Sequence, residues 1–283
     1  MHTSFLSTTS LARLGPLLLA ALALAGCAGL SSTAPPAWPA RLEQVLPADV
    51  LLLGEQHDAV EHQRLQREAV QWLAARGALA AVVMEMAEQG GSTAGLPRDA
   101  TDAQARAALQ WQDKAWPWAQ YGPVVMAAVA AGVPVLGGNL PRSQMRAAIG
   151  QAQWDAHLPA AALQRQYTEI RDGHCGLLPQ AQIAPMARIQ IARDASMAQA
   201  ATSALQPGKT VLLVAGAGHV WRGLGVPTHL GTQVAAKVVV ARAGGEPAAA
   251  HADADLVAPT PALPPRDACA ELREKWGNAP QRP

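Results

Sequence analysis

Two segments far apart in this chain carry residue types able to do chemistry at the same kind of place. Glu55 and His57 follow the aliphatic run Val50-Leu51-Leu52-Leu53-Gly54, and His219 follows Val211-Leu212-Leu213-Val214-Ala215-Gly216. Both runs end in a Gly-x-x-His turn. Imidazole is a metal ligand and a general base near neutral pH. Glu85 closes a third apolar run, Leu79 to Met84. A buried strand does not normally end in a carboxylate unless that group reaches solvent, a partner or a metal. Together Glu55, His57, Glu85 and His219 make a donor set suited to a divalent or ferric ion. A helix cap at Glu85 and a plain backbone hydrogen bond at His57 remain open as alternatives.

The elements that must position these residues follow from the same runs. Continuous apolar stretches bounded by glycine read as strands buried on both faces, as in parallel sheets. Such sheets present their ligand sites beyond the carboxyl ends of the strands. Five strands are expected, at 49–53, 79–85, 133–137, 210–215 and 235–241. Alanine-rich, charge-studded helices are expected between them, at about 59–76, 102–112, 123–131, 142–150, 160–171 and 183–205. The expected fold is a single α/β domain with a mainly parallel central sheet flanked by helices.

Further polar groups lie at the fourth strand exit, where Asn139 could hydrogen-bond a ligand and Arg142 could pair with a carboxylate. A turn role for Asn139 and a plain surface role for Arg142 stay open. A tryptophan-rich loop, Trp111 to Tyr121, covers a core edge or lines a pocket for a flat ligand. His174 and Cys175 are adjacent, which is no compact metal motif. No Walker loop, Gly-x-Ser-x-Gly elbow or His-Glu-x-x-His helix is present.

The formal net charge of +1 gives no indication of a nucleic-acid partner. Residues 11–26 are apolar but too short to span a membrane comfortably, and read as a signal h-region. They end in Leu24-Ala25-Gly26-Cys27, which resembles the lipobox of bacterial lipoproteins. That resemblance implies lipidation of Cys27 and, with Ala28 rather than Asp following it, the outer membrane. The expected organisation is a signal peptide at 1–26, a lipidated tether at 27–44, the α/β domain at 45–245 and an extended tail at 246–283. The tail packs on the domain and ends in a short helix near 269–275. Cys175 and Cys269 are left either as a bridge or as two free thiols.

Assembled, the motifs resemble the ChaN-like family of haem-binding lipoproteins, grouped with the Tiki and TraB proteins and the erythromycin esterases. The resemblance is carried by Leu53-Gly54-Glu55-Gln56-His57-Asp58, Glu85-Met86, Tyr121 with Pro123, and Asn139-Leu140-Pro141-Arg142. It continues through Gly173-His174-Cys175, Leu178-Pro179, residues 192–198, Gly216-Ala217-Gly218-His219-Val220 and Gly225-Val226-Pro227. It implies haem binding for iron uptake, with the pocket at or near a homodimer interface. Tyrosinate is an established axial ligand of haem iron, and the chain has only two tyrosines, Tyr121 and Tyr167. Tyr121 falls in a family block and ranks first. Tyr167 is expected to pack in a helix, and His57, His174 or His219 would serve if neither phenol does. Glu55, Glu85 and Asn139 would also line the pocket, and Arg142 or Lys114 would meet the propionates. The first reading is therefore a non-enzymatic haem binder. The alternative is a hydrolase of an ester or peptide that depends on zinc or manganese, using Glu55, His57, Glu85 and His219. A scaffolding lipoprotein is the third.

Overall fold

A computed structural model describes residues 37–244 and 253–277. The signal segment, Cys27 and most of the expected tether lie outside the described residues. Among the described residues six strands form one sheet: β1 (Val50–Glu55), β2 (Leu79–Glu88), β3 (Val135–Asn139), β4 (Thr210–Gly216), β5 (Ala236–Ala243) and β6 (Leu256–Thr260). Their order is β3-β2-β4-β1-β5-β6, and every neighbouring pair is parallel. The mainly parallel α/β architecture expected from the apolar runs is the one observed.

The helices are α1 (Trp38–Glu43), α2 (Val60–Ala75), α3 (Asp102–Ala108), α4 (Trp118–Ala131), α5 (Arg142–Gly150), α6 (Ala160–Gly173), α7 (Gln180–Ser203), α8 (Ala217–Val220) and α9 (Ala268–Gly277). Successive strand side chains point to opposite faces, and here both faces are dry. Leu51, Leu53, Val82, Met84, Leu212 and Val214 pack under α1 to α4. Val50, Leu52, Val83, Val211, Leu213 and Ala215 pack on the other face with Met197, Ala198 and Ala201 of α7. Double-sided burial explains why these strands lack the polar alternation of half-exposed sheets.

Two boundaries differ from expectation. Trp38 and Leu42 of α1 are buried in the core, and the Trp38 indole donates to the Leu65 carbonyl at 2.9 Å, so residues 38–44 belong to the folded unit and not to a tether. The tail is not merely extended, because residues 256–260 add a sixth strand beside β5. Pro259 concealed it: proline lacks an N–H and is tolerated only where one side of a strand is free, as on this edge. The Cys175–Cys269 bridge is formed, tying α9 to the residues just after α6.

The chain leaves β1 towards β2 on one side and leaves β4 towards β5 on the other, although β1 and β4 are neighbours. This reversal opens a crevice at the carboxyl ends of the two central strands. Glu55 and Gly216 stand opposite one another there in register.

Candidate functional site

Strand parity decides what each exit offers. Leu53 faces α2 and α4, so Glu55, two residues on, emerges on that face. It is buried, and its carboxylate accepts hydrogen bonds from the Tyr121 hydroxyl at 2.6 Å, from Gln63 Nε2 at 2.7 Å and from Gln66. His57 Nδ1 lies 2.7 Å from Glu55 Oε1. That contact places the proton on Nδ1 and leaves Nε2 as the free, basic nitrogen.

β2 has the opposite parity at its exit. Val83 faces α7, and Glu85 follows on that side. Glu85 accepts the Gly216 backbone N–H at 2.7 Å and pairs with Arg193 of α7. Arg193 Nε donates to Asn139 Oδ1 at 2.9 Å, and Asn139 Nδ2 donates to the Glu85 carbonyl at 2.9 Å, closing a ring of buried polar contacts. His219 presents Nε2 to Glu85 Oε1 at 3.5 Å, while its Nδ1 lies 2.6 Å from Asp194 Oδ1. His57 Nε2 is 4.0 Å from Glu85 Oε2. Two carboxylate–imidazole pairs thus each approach a different oxygen of a single buried carboxylate.

At two of these glycines a side chain would meet close neighbours. A Cβ on Gly54 would stand 2.4 Å from a Val220 methyl, so the β1 exit closes against α8 only without a side chain. A Cβ on Gly216 would stand 2.8 Å from His57 Nε2 and 3.5 Å from Glu85 Oε2. The absent side chain leaves a gap beside both groups.

The electrostatics follow from burial and charge. Burial opposes the His57 imidazolium, but the Glu55 hydrogen bond and the Glu85 charge outweigh it and raise the pKa above 6.5. Burial also works against the Glu85 carboxylate, yet His219, Arg193, His57 and the Gly216 N–H bring it down to about 2. Burial raises the Asp194 carboxyl despite its imidazole partner. The Tyr121 phenol is pushed far above its usual range, by burial first and then by the Glu55 charge, so it stays a protonated donor.

Sequence reasoning brought together Glu55, His57, Glu85 and His219, and the fold places all four at one rim of the sheet. Glu85 and His219 line different clefts. Glu85 lines a cleft of about 270 Å³ with Trp116, Asn139, Arg142, Met145 and Arg193. His219 lines a second cleft of about 250 Å³ with Gln166, Ile170, His174, Asp194 and Trp221. Arg142 is exposed at the mouth of the first, 3.7 Å from Glu88, and the exposed Lys114 lies on the wall of neither. Tyr121 is not where a phenolate ligand should be: it is fully buried in the core, its hydroxyl committed to Glu55. Tyr167 is half-buried on α6, packed against Ile170, Ile183 and Ala187. It shares a helical face with Ile170 and His174, three and seven residues on.

The donor set does not suit a metal ion. Both Glu55 oxygens, both Glu85 oxygens and the Asp194 oxygen facing His219 already take protein donors. Arg193 supplies the positive charge that a cation would bring. Among the described residues no group of three or more His, Cys, Asp or Glu could hold an ion. The zinc or manganese site anticipated as an alternative is therefore replaced by a hydrogen-bonded ion-pair network.

Gln63, Gln66, Arg193 and Asp194 were given no role from sequence. Their signal is a polar residue on an otherwise apolar helical stripe. Asp194 interrupts the buried series Ala187, Ile191, Ala198 and Ala201, and Gln66 interrupts Leu65, Ala69 and Leu73.

Comparison with known proteins defines the class. The sequence profile described as "Haem-binding uptake, Tiki superfamily, ChaN" matches residues 41–230. The chain belongs to this family. Among solved structures it is similar to ChaN of Campylobacter jejuni, described as showing cofacial haem binding, with 25% identity and a TM-score of 0.58. That match covers 74% of this chain and 86% of the other. The type III effector HopBA1 is 12% identical with a TM-score of 0.45, covering 76% of this chain and 88% of the effector. No curated protein matches.

Proposed function

We propose that this chain binds haem for iron uptake as a lipid-anchored protein of the outer membrane. The observation that carries the haem reading is the family match over residues 41–230. The residues present fit the group. Tyr167 is the half-buried one of the two tyrosines, and it packs with Ile170, which lines the cleft shared by His174, His219 and Trp221. Leu178 and Met186, only partly buried, extend an apolar wall beside it. Bound there, ferric haem would supply a Lewis-acidic iron for a phenolate or imidazole. The protein's part is to offer Tyr167 or His174 to the iron and apolar surface to the macrocycle.

The cleft of about 250 Å³ falls below the usual range of roughly 300–1,000 Å³ for ligand pockets. One chain therefore offers an open-sided seat. Its completion by a second chain agrees with the cofacial binding described for the Campylobacter jejuni relative. Lipidation rests on Leu24-Ala25-Gly26-Cys27, and outer-membrane placement on the residue after it. Haemin titration of the detergent-solubilised full-length chain, followed by sedimentation, tests the reading. A saturable Soret band with one haem per chain and conversion to dimers is expected; no Soret band overturns it. Loss of fatty-acid labelling in Cys27→Ser tests the anchor.

A further inference from the structure

We infer that the Cys175–Cys269 bridge is a redox latch: it pins α9 against the His174 side of the second cleft, where Trp276 adds an aromatic wall to the haem seat, and a dithiol reductant releases it. The role of Trp276 deepens the haem reading and rests on it; the latch does not. Cys269, Trp276 and the rest of α9 lie beyond the residues 41–230 that the family profile matches.

Little besides the bridge holds this helix. Among the described side chains of α9 none is buried: Cys269 and Leu272 are half-buried and the others are exposed. A helix of ten residues with no buried face is marginal on its own. Its connection from β6, residues 261–267, is exposed apart from Leu263 and contains Pro261, Pro264 and Pro265. The Arg266–Asp58 pair is 3.6 Å apart with both side chains more than half exposed, and such a pair contributes little. The covalent bond is therefore the principal attachment of α9 to the turn that follows α6.

What the bridge brings to the cleft is Trp276. His174 donates from Nδ1 to the Ile170 carbonyl at 2.7 Å, so Nε2 is its free nitrogen. The Trp276 ring lies against the His174 ring, with centroids 6.1 Å apart and planes tilted by 42°. That separation is in the range of favourable aromatic contacts. Trp276 is 38% exposed, so part of its surface is open beside the cleft lined by His174, Ile170 and Trp221. A flat macrocycle set against His174 would bury that surface.

The latch opens by thiol–disulfide exchange. A thiolate of the dithiol bonds to one bridge sulfur, the sulfur–sulfur bond breaks, and the other cysteine leaves as its thiolate. The reductant's second thiol then displaces the mixed disulfide and closes the reductant's own disulfide. Cys175 and Cys269 end as two thiols, having gained two electrons and two protons in all. Both cysteines are half-buried and neither is sealed in the core, so the bridge is open to this attack.

The test compares the bridged full-length chain with the same chain reduced by dithiothreitol, capped with iodoacetamide and freed of both reagents. Reduction should speed tryptic cleavage at Arg273 and diethyl pyrocarbonate modification of His174 several-fold, both read by mass spectrometry, while far-ultraviolet circular dichroism is retained. Haemin should bind the capped chain about 3–10-fold more weakly, the loss of one aromatic contact. Trp276→Ala with the bridge intact should lose the same factor, and capping should add nothing further to it. Unchanged cleavage and modification on reduction, or collapse of the circular dichroism, overturns the latch. Equal haemin affinity in the parent, capped and Trp276→Ala chains overturns the wall. A parent chain without a Soret band refutes the haem reading and the wall with it, while cleavage and modification still decide the latch.

Discussion

Tyr121→Phe deletes one oxygen from the middle of the molecule and nothing else. The phenol is fully buried, and its hydroxyl donates to Glu55 at 2.6 Å. Its ring packs between Trp111 and Trp116 at centroid distances of 6.2 and 5.9 Å, contacts that phenylalanine retains. What is lost is a hydrogen bond to a charged acceptor, contributing about 1.5–3 kcal/mol net. Glu55 keeps His57, Gln63 and Gln66 as donors, so the carboxylate is not orphaned and the cost stays near the middle, about 2 kcal/mol. For a chain of this size that lowers Tm by roughly 4–8 °C. Urea denaturation followed by far-ultraviolet circular dichroism should show a lower midpoint at unchanged slope. A loss under about 0.5 kcal/mol, the range of ordinary surface substitutions, would refute the claim that the phenol is committed to Glu55.

Two further outcomes follow from the same geometry. Glu85 has a folded pKa of about 2 against an ordinary 4.5, so its contribution is present above pH 4.5 and is lost as pH falls towards 2. The parent chain minus Glu85→Gln, compared by urea midpoint across that window, should show a stability difference shrinking with acid; a constant difference would contradict the ion-pair network. Cys269→Ser opens a bridge between residues 94 apart and should cost up to about 4–5 kcal/mol in the chain-entropy model, with Cys175 newly reactive to thiol reagents under non-reducing conditions.

Much of this architecture is written in short-range pattern. The runs at 50–53, 79–84 and 211–215 are apolar on every residue because both faces of the sheet are covered, so their parallel pairing was legible without long-range information. The strand at 256–260 was not, since Pro259 and the prolines that follow it, Pro261, Pro264 and Pro265, look like loop until an open edge accepts the segment. Asp49 and Val133 were expected inside strands that begin one and two residues later. The rim position of Glu55, His57, Glu85 and His219 followed from the Gly-x-x-His turns. Most of their hydrogen-bond partners did not, because Tyr121, Arg193 and Asp194 reside on helices far away in sequence and only packing brings them in; Gln63 is eight residues from Glu55 but its side-chain direction depends on how α2 packs. The choice between the two tyrosines was illegible for the same reason: both sit in helices, and burial separates them.

Haem ligation by the half-buried phenol of Tyr167 is the claim most directly open to measurement. Absorption spectra of the full-length chain with ferric haemin should show a Soret band that Tyr167→Phe weakens or shifts and Tyr121→Phe leaves in place. The reverse pattern, with the band lost in Tyr121→Phe and intact in Tyr167→Phe, would contradict the account.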